Sequence, residues 1–290
     1  MILVWILLVV GFVLLIKGAD YFVEGSSAVA KILRIPSVVI GLTIVAMGTS
    51  APELAVSVTA ALTGNNEIAV GNVIGSNIFN LMVVTGTCGV ILPMAVDKGI
   101  LNGDFIFSIL ISGVLLAMFA FDMKIGHLDG VILLVLFAYF IIKLVRKALK
   151  ERTDAQEEEE RLSKVKIFLY VVGGIVAIVF GGDIVVDCAS QIASSFGLSQ
   201  NLIGLTIVAM GTSLPELVTS IVASRKGENG LALGNVIGSN IFNILMILGI
   251  SSAIHPIVVT IHSAYDLIVL IVFSTAVPFN ASAGELSNNL

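Results

Sequence analysis

The sequence predicts an all-α polytopic membrane protein made of two inverted five-helix repeats, the second without its last helix, so that nine helices span the bilayer. Two observations lead to this fold class. The 290 residues are 57% hydrophobic and only 12% charged, with a mean hydropathy of +1.08, whereas a soluble domain carries about 25% charged residues. Residues 41–80 also recur, without a gap, as residues 204–243, with 28 of 40 positions identical. The chain therefore contains an internal duplication.

The predicted spans are helices because lipid offers no hydrogen-bond partner to a backbone that is not paired within its own segment. In chain order they are residues 2–22, 37–62, 69–92, 104–121, 128–148, 166–187, 200–224, 231–253 and 264–279. We assign residues 1–149 to the first repeat, residues 150–166 to a cytoplasmic linker, and residues 167–290 to the second repeat.

The two repeats are expected to cross the membrane in opposite directions, because five spans, an odd number, separate equivalent points. With the N-terminus outside, the predicted inner loops hold 13 lysines and arginines and the outer loops hold only Lys124. Cytoplasmic loops are enriched in these residues. The loop Leu62-Thr63-Gly64 has the repeat equivalent Arg225-Lys226-Gly227, which gains positive charge where this orientation places it inside.

Two polar segments fall outside the apolar pattern. The linker contains the acidic run Glu157–Glu160, which we interpret as a hydrated stretch; a regulatory calcium site is the alternative, although the run lacks the loop residues that such a site uses. The polar tail Asn280–Leu290 stands where symmetry places a tenth span. We expect a truncated or frame-shifted chain that lacks this helix, and a natural nine-span variant is the alternative.

The strongest functional signal is a carboxylate inside an apolar segment, present once in each repeat. In the segment Ala46–Glu53, Thr49 and Glu53 are four residues apart and share a helix face. Pro52 has no N–H to donate, so the helix is expected to bend or break near Gly48. Freed carbonyls, the hydroxyls of Thr49 and Ser50, and the Glu53 carboxylate then converge as oxygen donors, which suit a hard cation. The second repeat supplies the same set as Ala209, Thr212, Ser213 and Glu216.

A second duplicated segment, Gly75–Asn80, adds further oxygen atoms. Ser76 and Asn80 are again four residues apart, and Ser239 and Asn243 are their equivalents. We predict that these four side chains bind ions, with simple helix-to-helix hydrogen bonding as the alternative. Gly71 and Gly75 are predicted to let their helix approach a neighbour closely.

Three roles are open to Glu53 and Glu216. A structural ion pair needs a cation within a span, and Lys17 is the sole candidate, so it cannot serve both. A glutamic acid that stays protonated is possible, because burial disfavours the charged form. We favour a cation site, since intramembrane acids are usually functional.

A second duplicated acidic pair, Asp20/Glu24 and Asp183/Asp187, is interpreted as interfacial, with an entry funnel for cations as the alternative.

The paired GTSxPE and GNxxGSNxxN segments resemble the alpha repeats of the calcium/cation antiporter superfamily, in particular prokaryotic sodium/calcium exchangers. The resemblance covers nearly the whole chain and implies four ion sites at the membrane midplane, one favouring calcium and the others sodium. It makes Glu53 and Glu216 the central ligands. It completes the cluster with Thr49, Ser50, Thr212, Ser213, Ser76 and Ser239, and with the backbone carbonyls of Ala46 and Ala209. Some relatives carry Asp where this chain has Asn243, which bears on the sodium stoichiometry and on proton coupling.

We therefore expect a secondary antiporter, not an enzyme, that exchanges sodium for calcium electrogenically by alternating access. The expected ligands are the transported Ca²⁺ and Na⁺, with no cofactor. The expected setting is the lipid bilayer of the inner cell membrane, where the chain works as a monomer. No basic cluster suggests nucleic acid. A proton- or potassium-linked calcium exchanger is the alternative, followed by a cation channel; an intramembrane hydrolase would need a nucleophile–base set that the motifs do not provide.

Overall fold

The computed structural model describes residues 1–91, 99–151 and 162–288. These residues form helices almost throughout, as predicted, and the only strands among them are the two-residue β1 (Lys124–Ile125) and β2 (Ile257–Val258), which pair antiparallel. Most of the predicted linker, including the acidic run, lies outside the described residues. The calcium alternative for that run therefore stays a prediction.

The described first half contains eight helices. They are α1 (Ile2–Leu33), α2 (Ser37–Ile40), α3 (Ala46–Thr49), α4 (Ala51–Leu62), α5 (Asn66–Phe79), α6 (Thr85–Ile91), α7 (Ile106–Asp122) and α8 (His127–Lys150). The described second half contains α9 (Lys164–Ser195), α10 (Gln200–Ile203), α11 (Ala209–Gly211), α12 (Leu214–Arg225), α13 (Asn229–Phe242), α14 (Leu248–Ile254) and α15 (Ile261–Asn288). Several of these helices are joined end to end by π-helical turns at Gly41–Val45, Asn80–Val84, Gly204–Val208 and Asn243–Ile247, and a further π-helical turn at Ile100–Phe105 precedes α7.

Six described helical segments are long and apolar enough to cross a membrane, and a seventh qualifies if the bent pair Ser37–Thr49 and Ala51–Leu62 counts as one span. These seven coincide with seven of the nine predicted spans. The predicted spans 200–224 and 264–279 are helical but do not meet the same test within the described residues, so the count of nine stays a prediction. The chain is a multi-pass, all-helical membrane protein.

The two longest helices, α1 and α9, pack against each other through glycines. A Cβ on Gly11 would lie 3.1 Å from the carbonyl oxygen of Gly181, and a Cβ on Gly18 would lie 3.0 Å from that of Gly174. Residue numbers rise along α1 as they fall along α9, so the two helices run antiparallel. Because the missing side chains let the backbones approach this closely, α1 and α9 form one tightly packed pair.

The other helices form a core in which each half contacts the other. The helix α4 packs against α14, and its repeat equivalent α12 packs against α6. The helix α13 also packs along α2, the π-helical turn Gly41–Val45 and α3. This exchange of contacts brings the two copies of the duplicated segment together at the centre of the molecule.

Candidate cation site at the helix breaks

Both duplicated helices break close to the predicted position, at Ser50 rather than Gly48 and at Ser213, and each break places a glutamate in the first turn of a new helix. The segments before and after Ser50 are inclined by 51°. Ser50 and Ser213 both leave the helical conformation, with ψ of 11° and 4°. Glu53 then lies in the first turn of α4 and Glu216 in the first turn of α12. A helix N-terminus stabilises negative charge, so both carboxylates lie where the backbone favours them.

The carboxylates are fully buried, and each is held by a serine from the opposite half. The Ser50 hydroxyl lies 2.7 Å from Glu216 Oε1, and the Ser213 hydroxyl lies 3.2 Å from Glu53 Oε1. Such bonds to a charged acceptor are worth about 1.5–3 kcal/mol each. The cross-pairing fixes the two helix breaks against each other, so the predicted hydroxyl and carboxylate oxygens meet in one place.

The predicted serines of the second segment complete this arrangement. Ser76 Oγ lies 3.3 Å from Glu53 Oε1, and Ser239 Oγ lies 3.4 Å from Glu216 Oε1. Ser213 Oγ also lies 3.0 Å from Ser76 Oγ, which links the break of one half to the following helix of the other. Four serines therefore surround the two glutamates, two from each half.

Asn80 and Asn243 also reach the centre, and their side-chain orientation is set by a second pair of asparagines. Asn80 Nδ2 donates to Asn240 Oδ1 at 3.2 Å, and Asn243 Nδ2 donates to Asn77 Oδ1 at 3.0 Å. Asn77 and Asn240 in turn donate to each other's backbone carbonyl, at 3.1 and 3.3 Å. Because the amide nitrogens are committed in this way, the Oδ1 atoms of Asn80 and Asn243 remain as acceptors.

Four buried acceptor oxygens at this site have no hydrogen-bond donor among the described residues. They are Glu53 Oε2, Glu216 Oε2, Asn80 Oδ1 and Asn243 Oδ1. A buried acceptor without a partner costs about 1–3 kcal/mol, and more if it is charged. Within the described ranges no lysine, arginine or histidine pairs with either glutamate, and Lys17 is exposed. A set of two carboxylates and neutral oxygens suits hard cations, which would satisfy acceptors of this kind.

The predicted threonine and alanine ligands differ between the two halves. Thr49 is fully buried and donates to Asn235 Oδ1 at 2.9 Å, whereas Thr212 is partly exposed and donates to Asn72 Oδ1 at 3.3 Å. The alanines follow the same trend, because Ala46 is buried and Ala209 is exposed. The Ala46 carbonyl accepts the Ser50 N–H at 3.0 Å, and its oxygen also lies 3.3 Å from the Thr49 hydroxyl.

The two halves differ even more in how deeply α5 and α13 are buried, although both helices come from the identical sequence GNVIGSNIFN. In the segment Asn229–Ile254 94% of the most apolar 18 residues are buried, against 50% in Glu67–Ile91. A Cβ on Gly234 would lie 2.6 Å from the Val38 carbonyl oxygen, because α2 packs directly on it, but no described atom lies within 4 Å of a Cβ on Gly71 or Gly75. The predicted close approach at Gly71 and Gly75 is therefore wrong for this conformation, and it occurs at their repeat equivalents instead. Among the described residues the α13 side of the site is covered and the α5 side is not, and we call them the closed side and the open side.

Sequence reasoning missed four asparagines that organise the site: Asn72, Asn77, Asn235 and Asn240. Asn72 donates to the Ser57 hydroxyl at 2.9 Å and to the Glu53 carbonyl at 3.2 Å, and Asn235 contacts Ser220 in the same way at 3.0 Å. All four are identical between the copies, and this identity is the signal that could have found them.

Three comparisons with known proteins bear on this site. A family model described as sodium/calcium exchanger protein matches residues 3–145 and 166–284. The sodium/calcium exchanger MaX1 of Methanosarcina acetivorans is 36% identical over 320 residues, covering 93% of this chain and 91% of that protein. The inner membrane protein YrbG of Escherichia coli is 37% identical over 265 residues, covering 88% of this chain and 81% of its own length. Among solved structures, the sodium-calcium exchanger NCX_Mj superposes with a TM-score of 0.85 at 32% identity, covering 96% of this chain and 90% of that one.

Proposed function

This chain belongs to the sodium/calcium exchanger protein family, and on that premise we propose that it exchanges sodium for calcium at the site between Glu53 and Glu216. The family consists of transporters, not enzymes. The observation that carries the proposal is the set of four buried acceptor oxygens without a donor, two of them carboxylate oxygens. Such atoms are costly unless a cation binds them, and the site offers no bound cationic side chain among the described residues.

Charge balance supports competition between the two ions at this site. Two carboxylates carry a charge of −2 when ionised, which one calcium ion or two sodium ions neutralise. The serine and asparagine oxygens around them provide neutral ligands for a further sodium ion. Exchange of one calcium for three sodium ions would move net charge, so we propose an electrogenic cycle in a protein that works as a monomer.

The open and closed sides support alternating access across an inner cell membrane. In the orientation set by the positive loops, with the N-terminus outside, α2 and α3 lie in the cytoplasmic half and α10 and α11 in the outer half. The tight contact of α2 with α13 then closes the cytoplasmic side, and the uncovered α5 faces the outer side. Two inverted repeats exchange such packings between their halves, which opens the site to one side at a time.

The test is uptake of radioactive calcium into proteoliposomes, driven in parallel by an outward gradient of sodium, potassium or protons. We expect uptake with the sodium gradient, and we expect its rate to depend on a membrane potential set with valinomycin and potassium. Glu53→Gln and Glu216→Gln should abolish uptake, because each removes one of the two charges. Glu67→Gln serves as the matched control, since Glu67 is an exposed glutamate in the first turn of α5.

Other results of the uptake experiment would identify a different transport function or refute the site. Uptake driven by protons or potassium but not by sodium would identify a proton- or potassium-linked calcium exchanger on the same fold. Calcium flux without any counter-ion gradient would identify a channel. Near-normal uptake by either glutamine variant would refute the assignment of the site.

A further inference from the structure

Charged residues join α1 to the loop between α12 and α13 at the closed side of the site. Lys226 Nζ forms an ion pair with Asp20 Oδ1 at 2.6 Å and a longer one with Glu24 Oε2 at 3.7 Å. It also donates to the Asp20 backbone carbonyl at 3.0 Å. Two residues further along the loop, the Glu228 carboxylate accepts a hydrogen bond from the Ser27 hydroxyl. We call these five residues the α1 clasp.

The clasp has no counterpart at the open side. The repeat equivalents of Asp20 and Glu24 are Asp183 and Asp187, which keep the acidic character and are exposed. The equivalent of Lys226 is Thr63, which cannot form an ion pair. Neither aspartate has an ion pair with any other residue that the structure describes. The duplicated acids are thus joined to the core at one end of the molecule only.

Three buried hydroxyls without a hydrogen-bond partner among the described residues lie on α1 and α12, two helices that contact each other. Ser26 lies on α1, and Thr219 and Ser224 lie on α12 beyond Glu216; all three are fully buried, and none has a hydrogen-bond partner among the described residues. Their repeat equivalents are Ala189, Val56 and Ala61, which carry no hydroxyl. A dry contact between α1 and α12 would favour apolar residues here, since an unpaired buried hydroxyl is costly.

We propose that the α1 clasp is a cytoplasmic gate, and that the hydroxyls of Ser26, Thr219 and Ser224 line the route that opens when it releases. This inference rests on the alternating access proposed above. While Lys226 holds α1 against the α12–α13 loop, the route is closed and its hydroxyls are unpaired. When α1 moves away, water and the leaving ion satisfy them. Because the open side has no clasp, the equilibrium between the two states is biased toward closure on the cytoplasmic side.

The gate is tested by the chemical accessibility of the route, which does not require transport. In a chain with Cys88→Ala and Cys188→Ala, Ser224→Cys is labelled with a membrane-impermeant maleimide added to the cytoplasmic side of inside-out vesicles. Lys226→Thr introduces the residue found at the equivalent outer position. One partly exposed ion pair shifts an equilibrium about two- to five-fold, so we expect labelling to accelerate by that factor.

The controls separate the clasp from general effects of charge and folding. Arg225→Leu removes a positive charge from the neighbouring exposed position and should leave the labelling rate unchanged. Asp20→Asn should accelerate labelling, and combining it with Lys226→Thr should add little, because partners in one ion pair are not additive. Ala61→Cys, fully buried at the opposite end of the molecule, is exposed to the maleimide in detergent, where both ends are accessible, and should remain unlabelled in every folded variant.

Three results would overturn the gate. Labelling that Lys226→Thr does not change, or that Arg225→Leu accelerates equally, would exclude a specific role for Lys226. Faster labelling at Ala61→Cys as well would indicate general loosening of the fold. If Lys226→Thr accelerates labelling at position 224 but abolishes calcium uptake, the gate is still supported. If the unsubstituted chain takes up no calcium, the proposed function is refuted, and the labelling result still decides the gate.

Discussion

Alanine at two glycines of identical sequence context should have opposite effects on stability. Gly75 and Gly238 occupy the same position in the identical segments of α5 and α13. A Cβ on Gly238 would lie 2.7 Å from Leu42 Cα and 2.8 Å from Ala46 Cβ, whereas in the described part of the chain nothing lies within 4 Å of a Cβ on Gly75. The added methyl group therefore meets backbone in one helix and open space in the other.

The difference in unfolding free energy between the two variants depends on helix propensity and on overpacking. Helix propensity contributes equally at both positions, so only overpacking separates them. Replacing a helical glycine by alanine stabilises a helix by about 1 kcal/mol at either position. Overpacking costs about 1–3 kcal/mol, and contacts below 3 Å with backbone place Gly238→Ala near the upper end. We expect Gly75→Ala to raise the free energy of unfolding by about 1 kcal/mol. Gly238→Ala should lower it, with about 3 kcal/mol between the two variants.

The assay compares thermal unfolding of both variants with that of the unsubstituted protein in one detergent, together with calcium uptake. Alternating access predicts that α5 becomes closely packed in the opposite state, as α13 is here. Gly75→Ala would then destabilise that state by about 3 kcal/mol relative to the present one, which lowers its population about 150-fold. A variant that is more stable but slower in exchange is the expected signature. Equal destabilisation by both substitutions, or full exchange by Gly75→Ala, would refute this reasoning.

Two further predictions concern stability alone. Asn240→Ala removes the bonds that orient Asn80 and should cost about 1–3 kcal/mol, seen as a lower unfolding temperature, whereas Asn65→Ala on the exposed loop should have little effect; equal effects would contradict the role of Asn240. Lys147→Met leaves the buried Asp104 carboxylate without the cation that lies 3.5 Å away. Because Lys147 is partly exposed, we expect Lys147→Met to lower the free energy of unfolding by an amount near the lower end of about 3–5 kcal/mol. Asp104→Asn should lower it less, because this substitution removes the buried charge itself. The reverse order in chemical unfolding would show that this pair contributes little.

The sequence predicted the parts of the site that depend on local chemistry. Pro52 and Gly48 indicated the break that appears as the 51° bend at Ser50, and the duplicated serines beside Glu53 and Glu216 do meet. The π-helical turns could not be predicted, because their residues carry no local signal that distinguishes them from an ordinary helix. They recur at equivalent positions of both copies, at Gly41–Val45 and Gly204–Val208, and π-helical turns often occur at functional sites.

The difference in burial between α5 and α13 could not be predicted from the duplicated segments. GNVIGSNIFN is the same in α5 and α13, so the sequence of these helices cannot encode that one is covered and the other is not. The difference comes from where α2 and α3 pack relative to α10 and α11, which is a property of one conformation of the whole molecule. Sequence symmetry predicts the two available arrangements, and only a structure reports which of them is populated.

The glycine contacts between α1 and α9 have a consequence for leakage. Helices whose backbones are this close cannot separate without losing contact along their length, so in the proposed alternating-access cycle we expect them to move together as one rigid lever over the core. A lever that is tilted toward one membrane face is tilted away from the other. If the proposed alternating access holds, the two entrances are never open together, and the ion gradients across the membrane do not dissipate through the protein even when no ion is bound.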